Sequence, residues 1–431
     1  MPNGLANPEA GAVLVGDAGS GAPADRRRVF TRTFAALQHR NYRLYFFGQL
    51  VSLVGTWMQM VAQGWLVYQL TNSPLYLGLV SFAASIPVWA LSLGAGVVID
   101  RVPRRYVLIA TQTVAMLLAF VLAALVFARV IQPWHILILS FLLGISQAFD
   151  GTARQAFVKD MVGKEDLMNA IALNSALFNM SRIIGPALAG IALASVGAAW
   201  CFFLNGLSFL AVIAGLMLQQ MPKFVAQPRT ASVWGDIQEG LRYIRDNQTI
   251  STLILIVSVS SVFGFAYAAL LPAYAQDVVH VDAQGLGFLS TASGLGALCG
   301  ALMVAALSHT RRKGVILTVG NLFFPLMLIL FSLSRSFPLS LLLMAAVGWG
   351  FMIQNTTANT LVQSIVPDRL RGRVMSVYNL AFFGLSPIGS LQAGFVAQQL
   401  GVPIGLGWGA VATLLFGLFI LWRVPRVRLL E

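Results

Sequence analysis

The sequence predicts an all-α integral membrane protein in which twelve transmembrane helices form two pseudo-symmetric six-helix bundles. Three observations support this fold class: long stretches without charge, basic residues confined to alternate gaps, and similarity between the two halves of the chain. The composition agrees, because 58% of the 431 residues are hydrophobic and only 10% are charged. A soluble domain carries about 25% charged residues, so a soluble fold is excluded.

The uncharged stretches are long enough to cross a bilayer. Segments 44–99, 183–222 and 374–422 contain no Asp, Glu, Lys or Arg. A helix needs about 20 mostly apolar residues to cross about 30 Å of hydrocarbon. Hydropathy therefore predicts twelve spans, at 44–70, 75–99, 106–128, 134–157, 168–195, 199–218, 248–275, 284–307, 314–334, 338–362, 373–399 and 404–422.

The remaining segments are two tails and a central linker. The first 25 residues are rich in Gly, Ala and Pro, and they lack the basic start and apolar core of a signal peptide. Phe30, Phe34 and Leu37 follow a basic cluster at helical spacing, which predicts a short helix on the membrane surface. The predicted organisation is a cytoplasmic tail with a surface helix at 1–40, a six-helix bundle at 41–218, a cytoplasmic linker at 219–247, a second six-helix bundle at 248–422 and a cytoplasmic tail at 423–431.

The linker is predicted to contain an amphipathic helix. Its apolar residues recur at helical spacing, and charged residues cover the opposite side; the apolar set is Trp234, Ile237, Leu241 and Ile244. We interpret this segment as a surface helix that connects the two bundles.

The basic residues predict the orientation of the chain. Twenty-four of the 28 Lys and Arg residues lie in the tails and in gaps on one side of the membrane, and only Arg129 and Arg335 lie in gaps on the other. The positive-inside rule therefore predicts a multi-pass protein of the cell (inner) membrane with both termini cytoplasmic. The net charge of +13 does not indicate nucleic-acid binding, because these residues flank apolar spans and contact anionic lipid headgroups. The predicted partners are membrane lipids and a small-molecule substrate, with no nucleic acid.

The two halves of the chain resemble each other in sequence. A shift of 204 positions superposes identical residues of the fourth and fifth spans on the tenth and eleventh, including Gly144 on Gly348, Gly185 on Gly389 and Gly190 on Gly394. A shift of 209 superposes Leu77 on Leu286 and Asp100 on His309. Together with the six-plus-six layout, this pattern predicts duplicated bundles with a site between them.

The loop between the second and third spans carries a motif of one glycine, one acid and three arginines: Gly96, Asp100, Arg101, Arg104 and Arg105. It resembles the loop motif of the major facilitator superfamily, with Pro103 where that family usually has glycine. Segments 40–87 and 174–190 resemble the branch that contains the enterobactin exporter and macrolide efflux proteins. The resemblance covers about residues 34–425 and implies an alternating-access transporter.

Asp100 ends an apolar helix at the predicted membrane boundary, and Arg104 lies one turn beyond it. A lone carboxylate at that depth is costly, so a partner is expected. The resemblance implies that Asp100 meets an arginine of its own loop and the start of the eleventh span near Gly372, which locks the outward-facing state. The alternative is that the cluster only sets topology. Because His309 replaces the acid in the second half, only the first half carries the complete motif.

Asp150 and Arg154 lie one turn apart on the fourth span, which predicts an ion pair between them. The family pattern implies that they belong with the loop motif to a conformational latch; local neutralisation of two charges is the alternative. We use "conformational latch" for the seven residues of this hypothesis, Gly96, Asp100, Arg101, Arg104, Arg105, Asp150 and Arg154.

Arg182 lies about fourteen residues into the fifth span, near the middle of the membrane, and no acid lies at comparable depth. It must contact Asp150, backbone carbonyls, water or an anionic group of the substrate, so a substrate or coupling role and a structural role both remain open. Pro186 is expected to bend this span, and Gly185 and Gly190 to allow close helix packing.

Several amides within spans are candidates for the substrate or coupling cavity, with interhelical hydrogen bonding as the alternative. The candidates are Gln59, Gln63, Asn179, Gln354, Asn355 and Asn359.

Missing motifs narrow the function. The chain has no phosphate-binding loop of the type that hydrolyses ATP, and no hydrolase motif, metal-ligand cluster or cofactor motif. The sequence thus predicts a non-enzymatic, cofactor-free secondary transporter that acts as a monomer and exports small amphipathic molecules such as siderophores or drugs. Proton coupling follows from the resemblance. A lysophospholipid or metabolite transporter of the same fold is the alternative, and an intramembrane enzyme is a remote one; the substrate, transport direction and coupling ion stay open.

Overall fold

The computed structural model describes residues 34–99, 101–221, 233–307, 310, 312–424 and 428–430. The predicted N-terminal tail, most of the predicted surface helix and Asp100 lie outside the described residues. Within the described residues, all regular secondary structure is helical, and twelve helices are long and apolar enough to cross a membrane. The predicted fold class is therefore confirmed.

The twelve helices are labelled α1 to α12. The first half contains α1 Arg40–Thr71, α2 Pro74–Ile99, α3 Arg104–Phe127, α4 Pro133–Val162, α5 Leu167–Ser195 and α6 Ala198–Met217. The second half contains α7 Gln248–Asp277, α8 Ala283–Ala306, α9 Lys313–Leu333, α10 Phe337–Ile365, α11 Asp368–Leu400 and α12 Val402–Arg423. We call the end of the bundle where α1 and α7 begin the linker end, and the opposite end the far end.

Several helices are longer than the spans predicted for them, and α4 and α11 show the largest extensions. Helix α4 continues past the predicted boundary at 157 to Val162, and α11 begins at Asp368 instead of 373. The additional turns carry charged residues such as Lys159 and Arg369. Hydropathy detects only the part of a helix inside the hydrocarbon, whereas Lys and Arg are good helix formers outside it.

The amphipathic helix predicted within the linker is present at Val233–Asp246. It packs against the start of α11. Glu239 forms an ion pair with Arg373, and a Cβ added to Gly240 would lie 3.1 Å from the carbonyl oxygen of Arg373. The linker helix is therefore attached to the second half at its linker end.

The same helix crossings occur in both halves. In the first half α2 packs against α4, and in the second half α8 packs against α10. A Cβ added to Gly144 of α4 would lie 2.9 Å from the carbonyl carbon of Ala84, and one added to Gly348 of α10 would lie 2.9 Å from that of Ser293. The two glycines that the sequence shift superposes thus allow equivalent close contacts between backbones.

The interface between the halves also has this symmetry. Helix α5 packs against α8, and α2 packs against α11. A Cβ on Gly190 of α5 would lie 3.1 Å from the carbonyl oxygen of Gln284, and one on Gly394 of α11 would lie 2.7 Å from that of Pro74. Gln284 and Pro74 lie in the first turns of their helices at the far end, so these two close contacts between the halves are at that end.

The symmetry fails at two π-helical turns in the second half. Ser260–Gly264 interrupts α7 and Leu380–Gly384 interrupts α11, whereas the equivalent α1 and α5 are continuous α-helices. The Ser261 hydroxyl donates a hydrogen bond to the Phe382 carbonyl oxygen, which joins the two turns. Such turns leave backbone groups outside the regular helical pattern and are frequent at functional sites.

Candidate functional site

A cavity of about 920 Å³ lies against the linker-end turns of α4 and α5. Its lining combines three charged side chains with amides and apolar groups: Arg104 from α3; Gln155, Ala156, Val158, Lys159 and Asp160 from α4; and Leu167, Ile171, Asn174, Ser175, Phe178 and Asn179 from α5. Two lining residues are cations and one is an anion, so the lining has a net charge of +1. Of the predicted cavity amides, Asn179 lies in this lining.

Aromatic rings lie at the deeper end of this lining. Phe178 of α5 and Trp57 of α1 are in edge contact, with ring centroids 5.6 Å apart and planes at 70°. Helix α5 approaches α1 closely here, because a Cβ on Gly185 would lie 2.9 Å from the carbonyl oxygen of Val54. Gly185 therefore lies at a close contact between α5 and α1, as its predicted packing role requires.

Arg182 lies midway along α5, one helical turn deeper than Phe178 and on the same helix face. Its side chain is half-buried, and it makes no hydrogen bond or ion pair with the part of the chain that the structure describes. A guanidinium at the centre of a bilayer costs about 2.5–3.5 kcal/mol on insertion scales. Asp150, one of the partners considered for Arg182, is instead occupied by other groups.

Asp150 and Arg154 form the ion pair that their spacing predicts, with Arg154 Nε donating to Asp150 Oδ2 at 3.1 Å. Asp150 also accepts hydrogen bonds from Gln112 Nε2 at 2.7 Å and from Thr111 Oγ1 at 3.1 Å. Arg154 donates in addition to Gln49 of α1. The pair is thus the centre of a polar network that joins α1, α3 and α4.

The acid that Arg104 contacts on α4 is Asp160 and not Asp150. Arg104 Nη1 donates to both carboxylate oxygens of Asp160, at 2.7 and 2.9 Å. Asp160 was not among the predicted site residues, because hydropathy places it in a loop beyond the fourth span. Asp150 lies in a separate network, nearly three turns deeper along the same helix, so its place in the conformational latch stays a prediction.

The other residues of the predicted latch have different surroundings. Arg105 donates to the carbonyl oxygens of Met217 at 2.7 Å and Gln219 at 3.1 Å, so it caps the end of α6. Arg101 is exposed, and Gly96 lies in the last turn of α2 and is half-buried. The structure places the loop arginines at the linker end, where Arg104 lines the cavity.

Two predicted cavity amides are used between helices instead. Gln59 is 8% exposed and accepts a hydrogen bond from Asn205 Nδ2 at 2.7 Å, which joins α1 to α6. Gln354 is 2% exposed and donates to Ser260 Oγ at 2.6 Å and Asn321 Oδ1 at 3.0 Å. Neighbouring helices cover both side chains in this structure, and Gln354 Oε1 has no hydrogen-bond partner among the described residues. A cavity role for these two residues stays a prediction.

The remaining predicted amides are half-buried. Gln63 donates to Ser140 Oγ at 2.9 Å, between α1 and α4. Asn355 accepts from the Tyr378 hydroxyl at 3.0 Å, and Asn359 accepts from Gln363 at 2.5 Å. Each of these three side chains is partly exposed, so a cavity role for them stays a prediction.

Side-chain hydrogen bonds join the two halves toward the far end. The Tyr68 hydroxyl of α1 donates to Asp277, the last residue of α7. Ser73 Oγ donates to Gln398 Oε1 at 2.5 Å, next to the close approach of Gly394 to α2. The described structure is therefore closed at the far end, while the cavity lies at the linker end.

The sequence profile of a family described as transmembrane secretion effectors matches residues 31–430. The chain belongs to that family. The family is a branch of the major facilitator superfamily, so the resemblance noted from the loop motif is confirmed.

Characterised relatives match nearly the whole chain. The multidrug efflux pump Tap of Mycolicibacterium fortuitum is 27% identical over 90% of this chain and 96% of its own length. The enterobactin exporter EntS of Shigella boydii is 26% identical over 90% of this chain and 93% of its own length. The staphyloferrin A transporter of Staphylococcus aureus is 25% identical over 84% and 90%.

Solved structures show the same fold at low sequence identity. A POT family transporter in complex with a thioalcohol-conjugated peptide superposes with a TM-score of 0.71 and 12% identity, over 90% of this chain and 96% of the other. A mutant of the nucleoside transporter NupG superposes with a TM-score of 0.69 and 13% identity, over 89% and 99%. These structures show the fold alone. The family match and the named relatives show that the chain is a multi-pass inner-membrane secondary transporter that exports small molecules.

Proposed function

We propose that this protein exports small amphipathic molecules from the cytoplasm by alternating access, that it acts as a monomer, and that protons drive the export. The observation that carries this proposal is the combination of a cavity at the linker end with direct contacts between the halves at the far end. With the linker end cytoplasmic, as the basic residues predict, this is the cytoplasm-open state in which an exporter loads its substrate.

Orientation is tested by cysteine labelling. Single cysteines at Ser73 and Ala231, in a variant with Cys201→Ala and Cys299→Ala, are treated with a membrane-impermeant maleimide on intact cells. Permeabilised cells should be labelled at Ala231→Cys, and intact cells should not. Labelling of Ala231→Cys but not of Ser73→Cys on intact cells would refute the orientation, and with it the direction of export.

The conformational latch is proposed to stabilise the opposite, outward-open state. Closing the linker end would bring the α2–α3 loop toward the start of α11, where Arg373 and the linker helix already form a contact. The N-terminus of α11 carries a partial positive charge that favours a carboxylate such as Asp100. Arg104 pairs with Asp160 and follows Asp100 by four residues in the sequence, and it is proposed to orient the acid.

Proton coupling is proposed to act through Asp150. Among the fifteen acidic residues of the chain, it is the one that lies deepest within a predicted span. Neutralising it would release Arg154 and weaken the links to Gln112 and Gln49, so its protonation can change how α1, α3 and α4 pack. A differential effect on two conformations is what coupling requires.

The function is tested with purified protein in liposomes. The cargo is a panel of amphipathic dyes that includes neutral N-phenyl-1-naphthylamine, and movement is followed with and without an imposed pH gradient. We expect dye movement that the gradient accelerates in wild type but not in Asp150→Asn. Absence of protein-dependent movement of every dye would contradict the export proposal, and movement that ignores the gradient would contradict proton coupling alone.

A further inference from the structure

We infer that the transported molecule is an amphipathic organic anion whose acidic group pairs with Arg182 while its apolar part contacts Trp57 and Phe178. This inference rests on the proposed export function and specifies its substrate class. It begins with an electrostatic imbalance in the first half. Asp150 and Arg154 neutralise each other, which leaves Arg182 as a cation at mid-membrane depth without a protein acceptor among the described residues.

Among the residues that the structure describes, no acidic side chain forms an ion pair with Arg182. Asp277 of the second half ends α7 at the far end and accepts from Tyr68. Asp160 and Asp166 lie at the linker end, where they pair with Arg104 and His39 at 2.7 Å each. An unpaired charge within the membrane is costly, and ionisable residues at that depth typically mark substrate or ion pathways. For a transporter, that transient partner is the substrate.

The cavity lining on α5 ends at Phe178 and Asn179, and Arg182 lies one helical turn beyond Phe178. Ile171, Ser175 and Phe178 line the cavity, and Arg182 continues the same face at the next helical turn, about 6 Å deeper. The face therefore offers polar groups near the opening, an aromatic pair next, and a guanidinium at the deep end. This order fits a molecule that enters with its charged group first and leaves its apolar part against the rings.

The guanidinium group determines the chemistry of the ligand. Its planar fork matches carboxylate, sulfonate or phosphate in a bidentate arrangement, and such bonds are stronger than those between neutral groups. Lys159, at the rim, adds a second positive charge that attracts anions toward the opening. The acidic group can belong to a soluble anion or to a lysophospholipid, because both present the same chemistry; the test separates these sources.

A pair of dyes that differ by one acidic group tests the inference. The dye 8-anilinonaphthalene-1-sulfonate is N-phenyl-1-naphthylamine with an added sulfonate. Binding of each to the purified protein is measured by equilibrium dialysis. We expect wild type to prefer the sulfonate by about tenfold, and Arg182→Gln to abolish that preference without changing affinity for the neutral dye. Arg182→Lys should restore part of the preference, because it keeps the charge without the fork.

Lys159→Gln is the matched control, since it removes a cation from the solvated rim of the same cavity. It should change the preference less than twofold, because water screens a rim charge. A lysophosphatidylglycerol competitor separates the two sources: displacement of the sulfonate only by this lipid assigns the site to lipids, and displacement by soluble carboxylates assigns it to soluble anions.

Two results would overturn the inference. The first is equal wild-type affinity for the two dyes; if the liposomes still move the neutral dye, the export function stands without an anion site. The second is an equal loss of affinity for both dyes in Arg182→Gln, together with a lowered thermal unfolding midpoint. This result would assign Arg182 a structural role. Arg182→Lys guards against misfolding, because it retains a cation of similar length at the same position.

Discussion

Both halves of the molecule have a polar side chain at an equivalent position of their fourth helix, but the side chain is charged only in the first half. Asp150 on α4 and Gln354 on α10 are related by the shift of 204 positions that superposes the packing glycines. Gln112 donates to Asp150 at 2.7 Å, and Gln354 donates to Asn321 at 3.0 Å. The shift of 209 relates Gln112 to Asn321, so each half joins its third and fourth helices through equivalent residues.

This comparison separates what packing requires from what function adds. An interhelical hydrogen bond at this position is present in both halves, and the neutral amide of Gln354 is sufficient to form it. Arg154, the counter-ion of Asp150, corresponds to Ala358 in the second half. The ion pair is therefore not needed to hold the helices together, which favours a role in transport.

The largest effect is expected when the ion pair is broken on one side. Asp150→Ala leaves the half-buried Arg154 without its carboxylate. Breaking a fully buried pair costs about 3–5 kcal/mol in free energy of unfolding, so we expect a cost of about 3 kcal/mol here. The measurement is unfolding in mixed detergent micelles, compared with wild type. A cost below about 1 kcal/mol would show that water or Gln49 already compensates Arg154.

The matched control replaces the ion pair of the first half with the neutral residues found at the equivalent positions of the second half. The double variant Asp150→Gln, Arg154→Ala reproduces the pair Gln354 and Ala358. We expect its stability to be close to wild type, because neutral replacement of an ion pair leaves no charge uncompensated. Its dye transport should no longer respond to a pH gradient. A normal response in this stable variant would exclude Asp150 as the coupling acid.

Features of the fold that depend on local composition could be predicted from the sequence. Each span is a run of apolar residues, and hydropathy sums over a run without knowledge of neighbours. The repeat was also detectable, because Gly144 and Gly348 are the residues that permit equivalent close crossings. The spacing of Asp150 and Arg154 was enough to predict their ion pair, since both lie on one helix.

Features that depend on the rotation of one helix against another could not be predicted. Gln59 and Gln63 share a face of α1, yet they contact α6 and α4 respectively, and no periodicity distinguishes a neighbouring helix from a cavity. The partner Asp160 was missed because α4 stays helical beyond the apolar run. The π-helical turns of α7 and α11 were missed as well, because no residue type specifies them.

The second largest effect concerns the far end, where the two halves meet. Tyr68→Phe removes the hydroxyl that donates to Asp277, and hydrogen bonds to charged groups contribute about 1.5–3 kcal/mol. We expect the population to shift toward the state open at the far end. Spin labels at Val130→Cys and Leu339→Cys, both exposed at that end, should report a longer distance.

Ser73→Ala is the control for that change. It removes a neutral hydrogen bond to Gln398 at an exposed position, so it should shift the distance distribution less than Tyr68→Phe does. Equal shifts from both variants would mean that general packing, and not the Tyr68 to Asp277 bond, keeps the far end closed.

A smaller effect is expected at the loop motif, where the halves differ by Asp100 and His309. Asp100→Asn should lower the rate of dye transport about fivefold, because a carboxylate at a helix N-terminus contributes about 1 kcal/mol. Dye affinity should be unchanged, since the proposed contact stabilises a state and not the site. His309→Asn is the matched second-half control and should leave the rate unchanged. A wild-type rate for Asp100→Asn would favour the topology-only alternative.

The smallest effect is expected when the neutral Gln354 of the second half is replaced. Gln354→Leu removes the amide that donates to Ser260 and Asn321, and interhelical hydrogen bonds in membranes contribute about 0.6 kcal/mol on average. Unfolding in mixed micelles should therefore show a cost several times smaller than that of Asp150→Ala, and the response of dye transport to a pH gradient should persist.

Gln354→Glu would introduce a carboxylate without the arginine of the first half, and we expect it to be more destabilising than Gln354→Leu. If Gln354→Leu abolished the gradient response, coupling would depend on the amide network of the second half, and the charge asymmetry between the halves would lose its functional meaning.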